Sequence, residues 1–106
     1  MGEIMSDQYY HRKQILDIFE CEETFLDELE SEELVVCSKV NPSGDKFYDV
    51  YQIERIRIIT NLTRELDVNL PGVEVILQMR ENMISMRKQF DQILYLLIQE
   101  LKNRVP

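Results

Sequence analysis

Acidic side chains are concentrated in one short segment of this sequence, where their charge could serve catalysis or binding. Residues 20–33 hold eight of the chain's 20 Asp and Glu residues and neither Lys nor Arg. Carboxylates act as general acids and bases only when a pair is held in a pocket, whereas these lie along an expected exposed helix. From the residues alone, we interpret the segment as a solvated face that keeps the protein soluble, or alternatively as a surface that binds a basic partner.

The other chemically active side chains are too few or too scattered for a catalytic or metal site. Cys21 and Cys37 have no second pair, and His11 is the only histidine, so a zinc site cannot be assembled. We expect both thiols to be free. Only three glycines are present, without a phosphate-binding loop, and no Ser or Cys stands beside a His. The sequence therefore predicts no enzyme activity, no metal and no cofactor.

The overall charge disfavours nucleic acid as the default partner. Twelve Lys and Arg against 20 Asp and Glu give a formal charge of −8, with a pI near 4.6. The hydrophobic share of 44% is enough for one small domain with a core. Apolar runs such as residues 93–98 are too short for a bilayer, and no basic flank precedes an apolar stretch at the N-terminus. We expect a cytoplasmic protein without membrane contact.

The apolar periodicity predicts a small helical head over residues 10–77, preceded by a flexible leader at 1–9. Two short helices close together indicate a helix-turn-helix unit, and a β-rich stretch with turn residues indicates a hairpin, or wing. The leader alternatively forms a short edge strand around Tyr9 and Tyr10. The predicted elements are helices at 12–19 and 22–34, a hairpin at 35–48 with its turn at 41–44, and a central core helix at 49–66.

A heptad-like apolar row follows the last predicted helix, which starts near Pro71 and is expected to dimerise over residues 78–104. Its members are spaced alternately by three and four residues, which places them on one helical face. Since one helix cannot bury such a seam against itself, we predict a homodimeric coiled coil. The chain's own head is expected to cover at most the first turns, and the orientation is open. The dimerisation residues are Met79, Met83, Met86, Phe90, Ile93 and Leu97.

The order of these elements resembles the MerR superfamily, and two segments carry the resemblance. Gly44-Asp-Lys-Phe-Tyr48-Asp-Val-Tyr-Gln-Ile53-Glu-Arg-Ile56 is similar to that family's wing-to-helix segment. Leu62-Thr-Arg-Glu-Leu66-Asp-Val-Asn-Leu70-Pro-Gly-Val73 resembles the chaperone-modulator branch, the CbpM-like proteins. The resemblance spans residues 10–104. It implies a mainly α fold, with a winged helix-turn-helix head, a small β-hairpin wing and a long C-terminal coiled-coil helix.

The resemblance to chaperone modulators implies a dimer that binds the J domain of a DnaJ-type co-chaperone and restrains its activity. The second helix of J domains is typically rich in Lys and Arg, which complements the acidic segment. Charge alone contributes little affinity, so an apolar anchor is expected, with Phe25, Leu34, Val35 and Val36 as candidates. The predicted partner-binding residues are Glu23, Asp27, Glu28, Glu30 and Glu32.

Two other functions stay open. A MerR-like transcription regulator would bind operator DNA as a dimer, but Asp27 and Glu28 align where DNA-binding members usually carry Arg and Tyr, so phosphate would repel Asp27. A scaffold, or an antitoxin-like binder of a different protein, is equally compatible with the residues. The basic surface required by the DNA hypothesis could come only from Arg12, Lys13, Lys39, Lys46, Arg55 and Arg57.

Overall fold

A computed structural model describes residues 8–105 and confirms the mainly helical, winged helix-turn-helix fold with a long C-terminal helix. The chain divides into two units, one ending at Asn69 and the other starting at Leu70. Part of the leader predicted at 1–9 lies outside the described residues. The elements are β1 (Tyr9–His11), α1 (Arg12–Ile18), α2 (Glu23–Ser31), β2 (Lys39–Val40), β3 (Lys46–Asp49), α3 (Val50–Glu65) and α4 (Leu70–Arg104).

The three strands form one antiparallel sheet in the order β1-β3-β2. Tyr10 pairs with Tyr48 on one side of β3, and Lys39 pairs with Phe47 on the other. For the region around Tyr9 and Tyr10, the sequence predicted either a flexible leader or a short edge strand, and the structure has the strand β1 there. It therefore adds a third strand to the predicted two-stranded wing, because β3 can offer hydrogen bonds at both of its edges.

The first strand of the wing hairpin is shorter than the strand that the sequence predicted over residues 35–40. Only Lys39–Val40 pairs as β2, because Val35 is buried and the backbone amide of Val36 donates to Gln52 Oε1 at 2.9 Å. The expected turn is present, and Asn41 closes it with an amide oxygen that accepts from the Asp45 backbone N–H at 2.9 Å. Gly44 adopts φ of 91°, a conformation that L side chains rarely take.

Helices α1 and α2 both end in Schellman motifs without glycine. Glu20 and Glu33 take the left-handed conformation, with φ of 50° and 60°. After α2, the Leu34 N–H donates to the Leu29 carbonyl at 2.9 Å, and the Glu33 N–H donates to the Glu30 carbonyl at 3.0 Å. At both motifs the chain turns sharply. The motif at the end of α2 places Leu34 close to that helix, where the side chain is buried.

The core of the first unit combines apolar residues from its helices with two residues of the loop after α2 and one strand residue. Tyr48 of β3 is fully buried, and it is the largest side chain there. Asp49 caps the start of helix α3, because its carboxylate accepts from the Gln52 N–H at 3.0 Å. The helix supplies two buried isoleucines, as predicted for a central core helix. The buried apolar residues are Ile15, Leu26, Leu29, Leu34, Val35, Tyr48, Ile56 and Ile59.

The second unit consists of α4, whose 35 residues confirm the predicted long helix. Proline in the first turn suits a helix start, because its missing N–H would have no partner there. Val73 and Leu77 are buried, whereas no residue from 78 to 105 is buried in the described chain. The predicted seam is therefore exposed, with Met83 and Met86 each at 67% and Phe90 at 63%. Homodimerisation through it stays a prediction.

Candidate protein-binding site on the second helix

The two faces of α2 follow from the spacing of its apolar residues. Leu26 and Leu29 lie three residues apart on one side and are fully buried, so the remaining circumference is left to polar side chains. Glu23, Asp27 and Glu30 recur at intervals of four and three residues, which places them along one edge. The helix therefore presents its acids in two groups, this edge and an outward side.

Arg12 at the start of α1 binds all three edge carboxylates. Its Nε lies 2.7 Å from Glu23 Oε1, and its terminal nitrogens reach Asp27 Oδ1 at 2.5 Å and Glu30 Oε1 at 3.3 Å. The same guanidinium donates to the Tyr48 hydroxyl at 2.9 Å. Only 12% of the Arg12 side chain is exposed. The planar fork of an arginine suits such a site, because it can donate in several directions at once.

Glu30 is the central acceptor of this group, which we call the Arg12 cluster: Arg12, Glu23, Asp27, Glu30, Lys46 and Tyr48. Besides binding Arg12, Glu30 accepts from Lys46 Nζ at 3.1 Å and from the Tyr48 hydroxyl. Its side chain is 16% exposed. The sequence-based expectation that Glu30 shares an exposed face with its neighbours is therefore wrong, because β3 and α1 cover it.

Burial and hydrogen bonding act in opposite directions on the pKa values of the cluster. Burial disfavours the charge of Arg12, but hydrogen bonds with Glu23 and Tyr48 outweigh it and raise the arginine pKa. Burial likewise opposes the charge of Glu30, but the hydrogen bonds that Tyr48 and Lys46 donate to its carboxylate outweigh burial and lower its pKa. Burial, and then the hydrogen bond to Glu30, raise the pKa of Tyr48. Arg12 and Glu30 are thus both charged at neutral pH, and the tyrosine is protonated.

The outward acids of α2 remain accessible. Glu28 and Glu32 are exposed, and neither forms an ion pair within residues 8–105. Glu23 and Asp27 combine their bonds to Arg12 with side-chain exposures of 62% and 65%. A carboxylate offers about four lone-pair sites, so each can accept from a second cation while it holds Arg12. Four of the five predicted partner-binding acids therefore remain available at the surface.

A groove with both charged and apolar lining residues lies beside these acids within the first unit. Of the four candidate anchors, Leu34 and Val35 are buried and Phe25 is half-buried, whereas Val36 is 57% exposed. The residues lining the groove are Glu30, Glu33, Val35, Val36, Cys37 and Lys46. Val36 thus supplies an accessible apolar surface next to the acidic helix, which is the combination that a protein interface requires.

The structure also places the side chains that could have formed other sites. Cys21 and Cys37 are free and half-buried, and burial raises the pKa of the Cys21 thiol. In the described part of the chain, no three His, Cys, Asp or Glu residues are grouped so that they could hold a metal ion. None of the helices over residues 8–105 is long and apolar enough to cross a membrane.

Sequence reasoning did not find the Arg12 cluster as a unit. Its members come from α1, α2 and β3, so only the fold brings them together. The edge spacing of Glu23, Asp27 and Glu30 was a usable signal, because acids at intervals of four and three share one face. Nothing local identifies Arg12 or Tyr48 as their partners.

Three helices and a winged sheet around this core define a winged helix-turn-helix protein with an added long helix. A family model for MerR HTH family regulatory proteins matches residues 10–94, most of the chain. The chain therefore belongs to the MerR helix-turn-helix family, and this membership supports a regulatory role. No curated protein matches the chain.

Proposed function

We propose that this MerR-family protein is a non-catalytic inhibitor of a DnaJ-type co-chaperone in the cytoplasm, and that it binds the J domain through α2. The observation that carries the proposal is the surface of α2. Its exposed acids lie where a DNA-reading helix-turn-helix presents its recognition helix, and Val36 lies next to them. A basic helix of a J domain complements this surface in charge.

The basic residues on which a DNA-binding function would depend are largely occupied within the chain. Arg12 and Lys46 bind carboxylates of α2, and Arg57 binds Glu54. A side-chain cation that is already paired with a carboxylate displaces few counterions when it meets a DNA phosphate. Because counterion release supplies most of the affinity for DNA, these ion pairs weaken the DNA hypothesis. Arg55 also donates to the Leu34 carbonyl, at 2.7 Å. These contacts favour a protein partner over operator DNA.

The regulatory mechanism is competitive masking. Carboxylates at Glu28, Glu32 and the exposed faces of Glu23 and Asp27 would pair with Lys and Arg of the J domain. The covered surface is then unavailable to the chaperone that the co-chaperone serves. Neither a covalent step nor a cofactor enters this mechanism, and Val36 supplies the apolar contact that holds the complex after charge has steered the encounter.

We further propose that α4 joins two heads through its exposed seam. Met79, Met83, Met86, Phe90, Ile93 and Leu97 are each between 56% and 67% exposed. Apolar exposure on this scale, repeated over several heptads, is typical of a helix that binds another helix. A dimer presents two acidic surfaces, so it can engage two J domains.

Titration calorimetry of the protein against an isolated J domain, at two salt concentrations, tests the proposal. Saturable binding near one J domain per chain that weakens with salt is the expected result. Glu28→Lys with Glu32→Lys should abolish binding. This pair is preferable to a change at Asp27, because neither residue belongs to the Arg12 cluster.

A matched control keeps the charge change and moves it away from α2. Asp17→Lys with Glu65→Lys reverses two exposed acids on α1 and α3 and should leave binding close to that of the unchanged protein. Equal losses in both double variants would mean that net charge, and not this surface, governs the interaction. Absence of heat at either salt and at several temperatures would refute J-domain binding.

The DNA alternative is tested by a gel shift on a defined operator at rising salt. Specific retardation that persists near physiological salt would support a transcription regulator and overturn the assignment of α2. Retardation confined to low salt and independent of sequence would be the behaviour expected of this acidic protein.

A further inference from the structure

Two large side chains stay exposed where the loop after α2 meets the start of α3. Val36 is 57% exposed and Tyr51 is 55% exposed, whereas Val35, beside the first of them, is buried. Arg55 lies one helical turn after Tyr51, on the same face of α3. We call these three residues the Tyr51 patch: Val36, Tyr51 and Arg55. Tyrosine and arginine are the residue types enriched at the centres of protein interfaces.

Two hydrogen bonds join the loop after α2 to the first turns of α3, so the patch forms one surface. The backbone N–H of Val36 donates to Gln52 Oε1 at 2.9 Å, and Arg55 Nε donates to the Leu34 carbonyl at 2.7 Å. The same guanidinium lies over the Tyr51 ring, 5.9 Å from its centroid, and orients it. Because these groups are held within the chain, a partner orders little more when it binds them.

The Tyr51 patch continues the acidic surface of α2. Glu32 and Glu33 are exposed at the end of that helix, and Val36 follows a few residues later. Glu33 and Val36 line the same groove. The surface therefore passes from carboxylates on α2 to aliphatic and aromatic side chains at the start of α3. Such an order places an apolar centre beside a charged rim, which is the usual anatomy of a protein interface.

We propose that the Tyr51 patch is the main apolar anchor for the J domain, so that the interface extends from α2 onto α3. This inference rests on the proposed binding of a J domain by α2. The occupant is an apolar side chain of the J domain that borders its basic helix and packs against Val36 and the exposed face of Tyr51.

The charges around the patch select this occupant and its direction. Arg55 already lies over the Tyr51 ring, so a Lys or Arg of the partner would be repelled there. The same Lys or Arg is attracted by Glu28 and Glu32, which lie on α2. The J domain therefore binds in one orientation, with its basic helix over α2 and its apolar border over α3.

Titration calorimetry of full-length Tyr51→Ala with an isolated J domain, at two salt concentrations and several temperatures, tests the proposal. The dissociation constant should rise about 30-fold, as for the loss of an aromatic anchor. Its dependence on salt should stay that of the unchanged protein, because no charge is altered. The heat-capacity change of binding should become less negative, because less apolar surface is buried.

Two further variants separate the anchor from the fold. Tyr51→Phe keeps the ring and should bind within about threefold of the unchanged protein, since the hydroxyl is not part of the proposed contact. Val36→Thr keeps the shape and the backbone hydrogen bond to Gln52 but buries a hydroxyl under the partner, so it should weaken binding about tenfold. Circular dichroism and urea unfolding confirm that each variant keeps the fold.

Tyr9→Ala is the matched control. Tyr9 is 43% exposed and has Lys39 over its ring at 5.0 Å, but it lies on β1. Its removal should leave binding unchanged, and an equal loss would overturn the proposal. Full binding by Tyr51→Ala would also overturn it, while J-domain binding through α2 would stand. If the unchanged protein does not bind the J domain, the proposed function fails and the anchor fails with it.

Discussion

Replacing Arg12 by methionine should destabilise the first unit by about 2 kcal/mol. The change keeps most of the aliphatic stem and removes the guanidinium, so it tests the charge separately from the packing. The Tyr48 hydroxyl loses its donor at 2.9 Å, and Glu30 loses one of its cations at 3.3 Å. Both are covered by the fold, so water cannot fully replace what they lose.

The magnitude follows from how much of the cluster is buried. Removing one partner of a fully buried ion pair typically costs about 3–5 kcal/mol. Here Glu30 retains Lys46 at 3.1 Å, and Glu23 and Asp27 can be solvated because more than half of each side chain is exposed. The expected loss is therefore about half of the buried-pair value.

Urea unfolding followed by circular dichroism measures this loss as a change in the free energy of unfolding at constant slope. Arg57→Met is the matched control, because Arg57 binds Glu54 in an exposed pair. It should leave the stability unchanged within error. If Arg12→Met also costs less than about 0.5 kcal/mol, the cluster contributes no more than a surface ion pair and the reasoning from burial is refuted.

Three further measurements test the local chemistry. Glu33→Gly should stabilise the protein by about 0.5 kcal/mol in urea unfolding, because glycine takes the left-handed conformation without strain, and a loss of stability would contradict the strain argument. The lowered pKa of Glu30 gives a stabilisation that is present above the unfolded value near 4.3 and lost as the pH falls through the lower folded value; Glu30→Gln should remove this acid dependence. The raised pKa of Tyr48 gives a stabilisation that is complete below about pH 10 and lost as the pH rises through the folded value, and an alkaline denaturation series identical in Tyr48→Phe would refute it.

The sequence predicted those elements whose signals are local. The apolar spacing located α3 and α4, and Asn41 with Gly44 located the turn of the wing. The predicted strand at 35–40 was too long, because a run of β-branched residues does not show that Val35 enters the core instead of the sheet. Periodicity reports which face a residue occupies, and it does not report which element covers that face.

Within the candidate site, the acids were predictable and their internal partners were not. The spacing of Glu23, Asp27 and Glu30 follows from helix geometry, so one shared edge was foreseeable. Arg12 reaches all three acids from the preceding helix, and Tyr48 reaches Glu30 alone, from a strand 18 residues further along the chain. No pattern along the chain encodes those contacts. The error over the exposure of Glu30 therefore arose from the tertiary fold and not from a misread helix.

The pairing of β1 with β3 determines when the first unit can complete its folding during synthesis. Tyr9 pairs with Asp49, so the first strand of the sheet has no partner until most of the unit has been translated. Closing a loop of that length makes folding slower than forming α4, whose contacts are local. Arg12 and the acids of α2 are made early and meet Tyr48 late. The Arg12 cluster is therefore complete only after β3 has been made and Tyr48 has joined Arg12 and Glu30.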